Sequence, residues 1–510
     1  MQNMGSRPLQ KVVIVGGGAA GWMSAAALSA VLKAPYEIRL IESEEIGIIG
    51  VGEATIPPIR MFNGLAKIDE AEFLKATYGT FKLGIEFVNW GRQGERYLHG
   101  FGGIGRESLW PVDFSQYWLR MRALGRALPL DAYAISNMAA RANKFMLPPE
   151  MKGSPLAALG YAYHFDASLY AKYLRKISEM RGVRRTEGKV VSVLLNEEPG
   201  PTHGHVRAVQ MESGELVEGD LFLDCSGFAS LLIEKTLNTG FEDWSHWLPC
   251  DRAWAVPSES TEPLLPYTRA TAHQAGWQWR IPLQHRVGNG HVYSSRHLSD
   301  DEAAAVLLRH LDSPALAEPR LIKFRTGMRK QAWNRNVVAI GMSAGFVEPL
   351  ESTALHLVQM GVAKLIEFFP HRGFDPLEVA EYNRLNRVRY EMVRDFIVLH
   401  YHVNQRDDSA FWQACANMSI PESLRWRLAL YASSGRLTYV EGDLFREPSW
   451  LEVMEGQNLR PKGWLALAEL QSPDDTARYL AGVSDTIAAC VKAMPDHRDF
   501  VNRYCPAAPM

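Results

Sequence analysis

Three glycines near the N-terminus have the spacing of a dinucleotide-binding turn. Gly16, Gly18 and Gly21 satisfy G-x-G-x-x-G between a β-branched run, KVVIV, and an alanine-rich run that predicts a helix. In such a turn the first glycine permits the tight bend, the second lets backbone approach a pyrophosphate, and the third lets helix pack on strand. A second predicted strand, YEIRLIE, ends on Glu42. Its carboxylate can accept hydrogen bonds from a ribose hydroxyl, so the sequence predicts a dinucleotide site.

A later glycine turn permits two interpretations. Gly341, Ser343 and Gly345 match the G-x-S-x-G turn of hydrolases, in which the serine is a nucleophile between a strand and a helix. The same strand–turn–helix pattern, over residues 334–369, is also typical of large FAD enzymes, where it returns to the flavin end of the cofactor. We favour the FAD interpretation because an N-terminal dinucleotide turn is out of place in such a hydrolase.

The stretch GWQWRIP, residues 276–282, predicts a β-strand with one aromatic face. Because side chains alternate along a strand, Trp277, Trp279 and Ile281 share one side, and Gln278 and Arg280 share the other. Taken alone, this pattern is typical of a packed core.

Downstream patterns predict a hairpin and several helices. Asn289 and Gly290 lie between two β-like runs, which is a hairpin signal that places the aromatic strand in an antiparallel sheet. From about Asp375 apolar residues recur at three- and four-residue steps, as in helices. Ser472 followed by Pro473 and two aspartates predicts a capped helix start.

Bulk composition excludes several functional classes. The 510 residues are 47% hydrophobic and 22% charged with a net charge of −2, which is typical of a globular protein of two or three packed units. This charge gives no broad basic field for nucleic acid or an anionic membrane. The uncharged stretch 12–32 is interpreted as the nucleotide-binding element rather than a signal peptide or membrane span, and we expect a cytoplasmic protein.

Histidine and cysteine spacing does not predict a metal site. Five scattered cysteines suit a reducing compartment and lack zinc-ligand spacing. His400 and His402 have no third ligand nearby in the sequence, so we interpret them as structural.

Four segments carry a resemblance to a known family. GGGAAGW (16–22), GVGEATIP (50–57), GWQWRIP (276–282) and FVEPLEST (346–353) resemble motifs of the flavin-dependent halogenases of the tryptophan halogenase family. FKLGIEFVNW (81–90) and DLFLDCSGFASLLI (220–233) are also similar to family segments. The resemblance covers residues 10–370 and continues more weakly beyond.

The resemblance implies a mixed α/β fold with three parts. These are a Rossmann-like FAD-binding domain, an antiparallel β sheet on the substrate side, and a C-terminal helical cap. We expect residues 1–375 to form the core, with a dinucleotide-binding unit near 10–45, a β-rich part near 185–330 and the returning strand and helix at 334–370. Residues 376–510 would form the cap.

The resemblance also implies FAD, used as FADH2, and a halide. Reduced FAD, oxygen and bromide or chloride would give hypohalous acid, which passes through a tunnel to a second site. The backbone N–H groups of Thr353 and Ala354 would bind the halide. The residues implied in cofactor binding are Gly16, Gly18, Ala19, Ala20, Gly21, Glu42, Ala54, Val190, Met342 and Leu355.

Three side chains are implied in catalysis. Lys82 would activate the hypohalous acid, either by hydrogen bonding or as a haloamine. Glu351 would stabilise the cationic arene intermediate or orient the oxidant, with Ser352 as a relay; alternatively, Glu351 is a carboxylate at a helix start.

The resemblance also implies the walls of the tunnel. These would be formed by Trp277, Trp279, Ile281 and Pro282, which keep substrate and flavin apart.

The implied substrate residues are His99, Phe101 and Trp450, which would contact a flat aromatic ring. Relatives acting on free tryptophan carry a lid with adjacent tyrosines and a polar clamp. Residues 435–461 contain only a single tyrosine, Tyr439. We therefore expect an indole-like substrate rather than free tryptophan.

The sequence leaves three alternative functions open, and the halogenase function implies a partner protein. The chain could instead be a halogenase of free tryptophan, a single-component FAD aromatic monooxygenase, or a non-catalytic flavoprotein that binds an aromatic ligand. As a halogenase it would need a separate flavin reductase, and no nucleic acid or membrane partner is expected. It would be a monomer or a homodimer.

Overall fold

The computed structural model describes residues 8–45, 52–105, 112–150, 153–440 and 442–508. Gly50 and Val51, which open the motif at 50–57, and residue 441 of the segment 435–461 lie outside the described residues. The strands of the described ranges, numbered along the chain, are β1 Lys11–Val15, β2 Glu37–Glu42, β3 Gly52–Ala54, β4 Thr80–Lys82, β5 Gly84–Val88, β6 Arg96–Gly100, β7 Ala162–Asp166, β8 Arg184–Glu187, β9 Val190–Leu195, β10 Val206–Met211, β11 Leu216–Glu218, β12 Leu221–Asp224, β13 Phe241–Asp243, β14 Arg252–Glu259, β15 Thr268–His273, β16 Gly276–Pro282, β17 Arg286–Tyr293, β18 Arg320–Lys323, β19 Gly327–Arg329, β20 Trp333–Asn334, β21 Val337–Ala339 and β22 Gly345–Phe346.

The α-helices of the same ranges are α1 Ala19–Val31, α2 Ile59–Leu65, α3 Glu70–Ala76, α4 Phe114–Ala123, α5 Ile135–Arg141, α6 Ala167–Met180, α7 Asp300–Arg309, α8 Ala354–Glu367, α9 Pro376–His402, α10 Ala410–Asn417, α11 Glu422–Ser434, α12 Glu447–Gly456, α13 Pro473–Ala493 and α14 His497–Tyr504. No helix in the described ranges combines the length and apolar character needed to cross a membrane.

A six-stranded sheet holds the N-terminal glycine turn. Its order is β20-β21-β12-β1-β2-β8, and all neighbours are parallel except β20 and β21. Residues 12–15 of β1 are buried, as expected for a central parallel strand covered on both faces. α1 follows β1, and β21 lies beside β12, so the turns after β1 and β21 lie at the same edge. The predicted Rossmann-like α/β fold is confirmed.

The aromatic motif forms β16 in a seven-stranded, mostly antiparallel sheet of order β18-β14-β17-β16-β15-β5-β6. The strand prediction is confirmed, but the hairpin prediction is wrong. Asn289 and Gly290 lie inside β17, and the chain reverses between Leu283 and Arg286. Gly290 is needed for packing, because a Cβ there would lie 2.1 Å from the ring of Trp279.

A three-stranded sheet, β3-β7-β4, carries Lys82 at the end of β4. This sheet lies against β16. The hydroxyl of Thr80 donates to the carbonyl of Pro282 at 2.8 Å, and a Cβ at Gly52 would lie 3.5 Å from Ile281. The aromatic strand therefore packs beside the strand that positions Lys82.

The C-terminal part is helical, as the periodicity predicts. The 27-residue α9 begins after Asp375, whose side chain accepts from the N–H of Leu377. α13 begins after Ser472, which caps it as predicted. Among the described residues after 375 no strand occurs. The boundary at 375 and the cap over a substrate stay predictions.

Candidate active site

The N-terminal turn has the geometry that each of its glycines predicts. Gly16 has φ +116°, and a Cβ there would lie 2.3 Å from the carbonyl oxygen of Cys225. A Cβ at Gly21 would lie 1.8 Å from the carbonyl oxygen of Gly16, so helix and turn touch. At Gly18, by contrast, no described atom lies within 4 Å of a Cβ position. The turn thus has an open face at the start of α1, which fits a bound pyrophosphate.

Glu42 lies against this turn. Its carboxylate accepts hydrogen bonds from the indole N–H of Trp22 at 3.0 Å and from Arg185. A Cβ at Gly17 would lie 1.8 Å from Oε2 of Glu42, so the loop and the carboxylate are in contact. A carboxylate offers about four acceptor positions, which leaves capacity for a ribose hydroxyl.

The turn at residues 341–345 lies beside the N-terminal glycine turn. Gly341 has φ +73°, and a Cβ there would lie 2.8 Å from Cβ of Ala20 in the first turn of α1. The hydroxyl of Ser343 is fully buried within hydrogen-bond reach of the carbonyl oxygens of Ile340 and Asp224, to which its single proton can be donated. It is therefore not presented as a nucleophile, and the geometry supports the FAD interpretation of this turn.

The other residues implied in cofactor binding are spread around these turns. Ala19 begins α1, and Met342 is partly exposed beside Gly227. Ala54 ends β3 and is buried, and Leu355 is buried in the first turn of α8. Val190, the last of the set, is half-buried at the start of β9.

Lys82 is fully buried and hydrogen-bonded at two of its three donor positions. Its Nζ donates to the carbonyl of Thr55 at 3.0 Å and to the hydroxyl of Ser352 at 2.8 Å. The ring centroid of Phe101 lies 5.2 Å from Nζ. Burial lowers the pKa of Lys82 to about 7, against the opposing effect of the charges of Glu351 and Glu53. An amine with a pKa near neutrality can serve in proton transfer or nucleophilic catalysis.

Glu351 is fully buried between two histidines. His99 Nδ1 lies 2.9 Å from Oε2, and His400 Nε2 lies 2.9 Å from Oε1. Burial alone would raise the pKa of this carboxyl, but the charge and hydrogen bonds of His99 and His400 outweigh it and lower the pKa to about 2. The carboxylate is therefore ionised, and it is held by side chains rather than by a helix start.

A short connection joins the two catalytic candidates. Ser352, which follows Glu351, has φ +57°, an uncommon conformation for a residue with a side chain. This conformation directs its hydroxyl toward Lys82.

Thr353, the next residue, directly precedes α8, and its buried Oγ1 has no hydrogen-bond partner among the described residues. Because the first N–H groups of a helix lack intrahelical acceptors, this corner suits a small anion.

The first tryptophan of the W-x-W motif is a hydrogen-bond donor. Trp277 Nε1 donates to Oε2 of Glu348 at 2.9 Å, and the hydroxyl of Tyr401 donates to the same oxygen at 2.6 Å. Burial raises the pKa of Glu348 to about 7, opposed by these two hydrogen bonds. Trp279 is also buried, but its Nε1 has no partner among the described residues. Beyond them, Ile281 and Pro282 complete the buried strand.

Aromatic rings surround the side of Glu351 that faces the C-terminal helices. His99 lies near Phe396, with ring centroids 5.5 Å apart, and Phe396 stacks on Phe445 at 3.8 Å. Trp450 packs edge-on against Phe396 at 5.0 Å, and its Nε1 donates to the carbonyl of Phe445. Of the three implied substrate residues, His99 and Trp450 thus share this cluster, while Phe101 lies beside Lys82.

Sequence reasoning missed three participants. The sequence predicts a structural role for His400, yet its Nε2 lies 2.9 Å from Oε1 of Glu351. Thr55 supplies a backbone oxygen to Lys82, and Glu348 binds the aromatic motif. Two of the three have a sequence signal, since Glu348 lies in FVEPLEST three residues before Glu351 and Thr55 lies in GVGEATIP. No group of three His, Cys, Asp or Glu side chains in the described ranges is arranged to hold a metal ion.

The parallel sheet with its open glycine turn, beside a buried lysine and glutamate, defines a nucleotide-dependent oxidoreductase. Comparison with known proteins makes this class specific. The family model described as "Tryptophan halogenase" matches residues 11–473. The chain belongs to the tryptophan halogenase family and is a flavin-dependent halogenating enzyme.

Individual relatives agree over nearly the whole chain. A solved flavin-dependent halogenase from Xanthomonas campestris is 45% identical with a TM-score of 0.95, covering 99% of this chain and 100% of its own. Another, from Brevundimonas sp. BAL3, is 43% identical with a TM-score of 0.93, covering 97% and 99%. The tryptophan 6-halogenase of Streptomyces toxytricini is 33% identical over 98% of both chains.

Proposed function

We propose that this chain is an FADH2-dependent halogenase that uses oxygen and a halide to halogenate a small indole-like aromatic. A separate flavin reductase would supply the reduced flavin. The observation that carries the proposal is the connection from Lys82 through Ser352 to the adjacent Glu351, entirely buried, between the glycine turns and the aromatic cluster.

The glycine turns fit FAD. Gly16, Gly18, Gly21 and Glu42 would hold the adenosine half, since the open face at Gly18 admits phosphate oxygens to backbone N–H groups. The flavin half would extend toward the returning turn. When bound, the reduced flavin supplies the electrons that let oxygen oxidise the halide. The remaining residues proposed to contact FAD are Ala19, Ala20, Ala54, Val190, Met342 and Leu355.

A halide would bind at the start of α8. The backbone N–H groups of Thr353 and Ala354 would donate to it, aided by the hydroxyl of Thr353, which has no hydrogen-bond partner in the part of the chain that the structure describes. Either bromide or chloride suits donors of this kind.

The aromatic strand would wall the passage from this corner to the substrate. The large rings of Trp277 and Trp279 lie on one face of β16. The hydrogen bond from Trp277 to Glu348 fixes that wall to the loop before Glu351. Ile281 and Pro282 continue the wall toward β3 and β4. A wall of this kind would keep the substrate ring away from the flavin and so discourage direct hydroxylation.

Lys82 would then activate the hypohalous acid. Two N–H groups of Lys82 are used by Thr55 and Ser352, so the third can donate to the oxygen of the oxidant. Donation to this oxygen withdraws electrons from the halogen and makes it more electrophilic. Ser352 would fix the direction of the amine and link it to the loop that carries Glu351.

Glu351 would stabilise the cation that forms when halogen adds to the ring. Its ionised carboxylate lies in a water-poor site, where a fixed charge acts more strongly than in water. His99 and Trp450 would contact the flat ring, and Phe101 would lie between ring and lysine.

One observation favours an indole-like substrate over free tryptophan: the segment 435–461 has no tyrosine pair.

The test combines the purified protein with a flavin reductase, NADH, bromide and a panel of indoles, and detects products by mass spectrometry. Brominated indole is expected. Hydroxylated product would favour an aromatic monooxygenase. No oxygen consumption with supplied reduced FAD would favour a non-catalytic flavoprotein. Rapid bleaching of bound FAD by NADH without the reductase would contradict the need for a partner.

A further inference from the structure

Trp279 carries a buried indole N–H that no described atom accepts. The side chain is only 8% exposed, and its Nε1 has no hydrogen-bond partner in the ranges that the structure describes. Trp277, two residues earlier on the same face of β16, differs in this respect because its Nε1 donates to Glu348 at 2.9 Å. The two tryptophans of the aromatic strand therefore differ in role, since only Trp277 is bonded into the fold through its N–H.

Packing fixes the ring of Trp279 without using its N–H. A Cβ at Gly290 would lie 2.1 Å from this ring, so the indole lies across the glycine on the neighbouring strand β17. On the other neighbouring strand, β15, the residue opposite Trp279 is the small Ala270. A buried N–H without an acceptor costs free energy, and folded proteins satisfy the great majority of such groups. The fold thus holds a donor in place that a small ligand can use.

The neighbours of Trp279 along β16 place it between two parts of the proposed site. On one side, Trp277 is bonded to the loop that begins at Glu348 and continues to the proposed halide corner at the start of α8. On the other side, Ile281 lies beside β3, the strand that leads to the carbonyl bonded to Lys82. A passage along this face of β16 from the halide corner to Lys82 therefore runs past Trp279.

We propose that the indole N–H of Trp279 donates a hydrogen bond to the oxygen of hypohalous acid and so holds the oxidant on its way to Lys82. Trp279 is thus a positioning residue for the oxidant, and its role rests on the proposed function. A donor binds the oxygen rather than the electrophilic halogen, so holding the oxidant in this way forms and breaks no covalent bond. Without the N–H, more of the oxidant leaves the passage for solvent before it reaches Lys82.

The partition of the oxidant between product and solvent tests this role. The FAD-loaded protein is reduced and given oxygen, bromide and indole, and an added thioether captures the hypobromous acid that reaches solvent. In Trp279→Phe we expect the ratio of brominated indole to captured oxidant to fall about fivefold, the factor that one neutral hydrogen bond of ordinary strength contributes. The rate of flavin reoxidation and the KM values for indole and bromide should stay unchanged.

A matched control removes an indole N–H elsewhere in the fold. Trp333, on β20 of the six-stranded sheet, is fully buried, and its Nε1 donates to the carbonyl of Arg335. Trp333→Phe should keep the ratio of the unaltered protein. An unchanged ratio in Trp279→Phe would overturn the proposal. A raised KM for bromide in that variant would assign the N–H to the halide and would also overturn it.

Replacing only the N–H distinguishes an available donor from a structural one. Benzothienylalanine has a sulfur atom in place of the indole N–H and nearly the same ring outline. Trp279→benzothienylalanine should lower the product ratio as Phe does and leave the urea midpoint of unfolding undiminished. The same replacement at Trp277 should lower the midpoint, because the bond to Glu348 is lost. A lowered midpoint for the replacement at Trp279 would show that its N–H has a structural partner and would overturn the proposal.

The measurements separate this proposal from the proposed function. If the unaltered protein consumes oxygen but yields neither brominated indole nor captured hypobromous acid, the proposed function fails and this proposal fails with it. If it brominates indole and the Trp279 variants do so with the same ratio, only the role of Trp279 fails. If Trp279→Phe does not fold, the benzothienylalanine variant decides the proposal.

Discussion

The ammonium of Lys82 lies 2.8 Å from the hydroxyl oxygen of Ser352, a residue 270 positions later in the chain. Ser352 adopts a left-handed backbone conformation next to Glu351, whose carboxylate is held by two histidines. The hydroxyl of Ser352 thus joins β4, a strand of the three-stranded sheet, to the loop before α8. This contact places Lys82, proposed to activate the electrophile, and Glu351, proposed to stabilise a cation, on neighbouring parts of one buried site.

Replacing the lysine should separate oxidant formation from its use. Lys82→Ala is expected to abolish halogenation while reoxidation of bound reduced flavin continues, because the lysine is proposed to act after hypohalous acid has formed. Oxygen consumption and product are measured in the same reaction, with His402→Gln as a control. Halogenated product at the wild-type rate would show that Lys82 has no such role.

The pH dependence of halogenation should report the protonation of Lys82. Burial lowers its pKa to about 7, so its ammonium fraction falls as pH rises through about 7. Since the third N–H is the proposed donor, we expect the rate to fall above that pH, approaching about tenfold per pH unit. Single-turnover rates with reduced flavin supplied in excess avoid any contribution from the reductase. A rate that rises over this range would assign the step to the neutral amine.

Glu351→Gln should slow halogenation by one to a few orders of magnitude, since each tenfold corresponds to about 1.4 kcal/mol of lost cation stabilisation. FAD affinity should change little, because the carboxylate contacts histidines and not the glycine turns. Rates and FAD binding are measured on the same preparation. Loss of folding or of FAD binding would instead identify Glu351 as a structural residue.

Local patterns predicted the fold well. The strand, glycine turn and helix at residues 11–31 follow from short-range sequence, because Gly16 and Gly21 are required by atoms of the turn itself or of the residue after the adjacent strand, while Gly18 keeps the face of the turn open. Asn289 and Gly290 misled for a tertiary reason. Gly290 is small because the ring of Trp279 on the neighbouring strand occupies the space beside it, and no local rule distinguishes that need from a turn.

The candidate site was only partly predictable. Lys82 and Glu351 lie in recognisable motifs, but the partners that set their protonation are distant in sequence. His400 meets Glu351 only because α9 packs over the loop before α8. Likewise, the donor role of Trp277 depends on Glu348 and Tyr401 meeting it in the folded chain. Such contacts leave no periodic signal in the sequence.

Gly18→Val should weaken FAD binding without weakening the fold. Gly18 has φ −74°, which any residue adopts, and a side chain there would enter open space. We expect the FAD dissociation constant to rise at least about tenfold and the free energy of unfolding to change by less than about 1 kcal/mol. Gly482, in α13, also has open space, and Gly482→Val is the control. Unchanged FAD affinity would place the phosphates elsewhere.

Glu348 should make stability depend on pH. Its pKa is raised from 4.5 to about 7 in the folded state, so between these values the folded protein binds more protons than the unfolded chain. The stabilisation that protonated Glu348 contributes to the folded state is therefore fully present below about pH 4.5. It is lost as pH rises through about 7. Relative to Glu348→Gln, which does not titrate, the protein should lose on the order of 3 kcal/mol across this range. Urea unfolding at both ends checks this, and a pH-independent difference would contradict it.

The described residues of the segment 435–461 offer no free clamp for the charges of an amino acid. Tyr439 is 54% exposed. The buried carboxylates of the described part of this segment already accept from protein donors. Asp443 pairs with Arg427, Glu452 accepts from the N–H of Gly100, and Glu455 accepts from Tyr431. The ammonium of tryptophan would therefore enter without a partner among these described side chains, at a desolvation cost that bare indole avoids.

We therefore expect indole to be halogenated faster than tryptophan, with bromide at least as good a donor as chloride. Bromide is easier to oxidise and less strongly hydrated, so backbone donors at the start of α8 should accept it readily. Initial rates on indole, tryptamine, indole-3-acetate and tryptophan with each halide separate the effects of the ammonium and the carboxylate. Because Glu452 and Asp443 are engaged, tryptamine should gain nothing over indole. Faster turnover of tryptophan with chloride would overturn this interpretation, since it would require a clamp that these side chains do not provide.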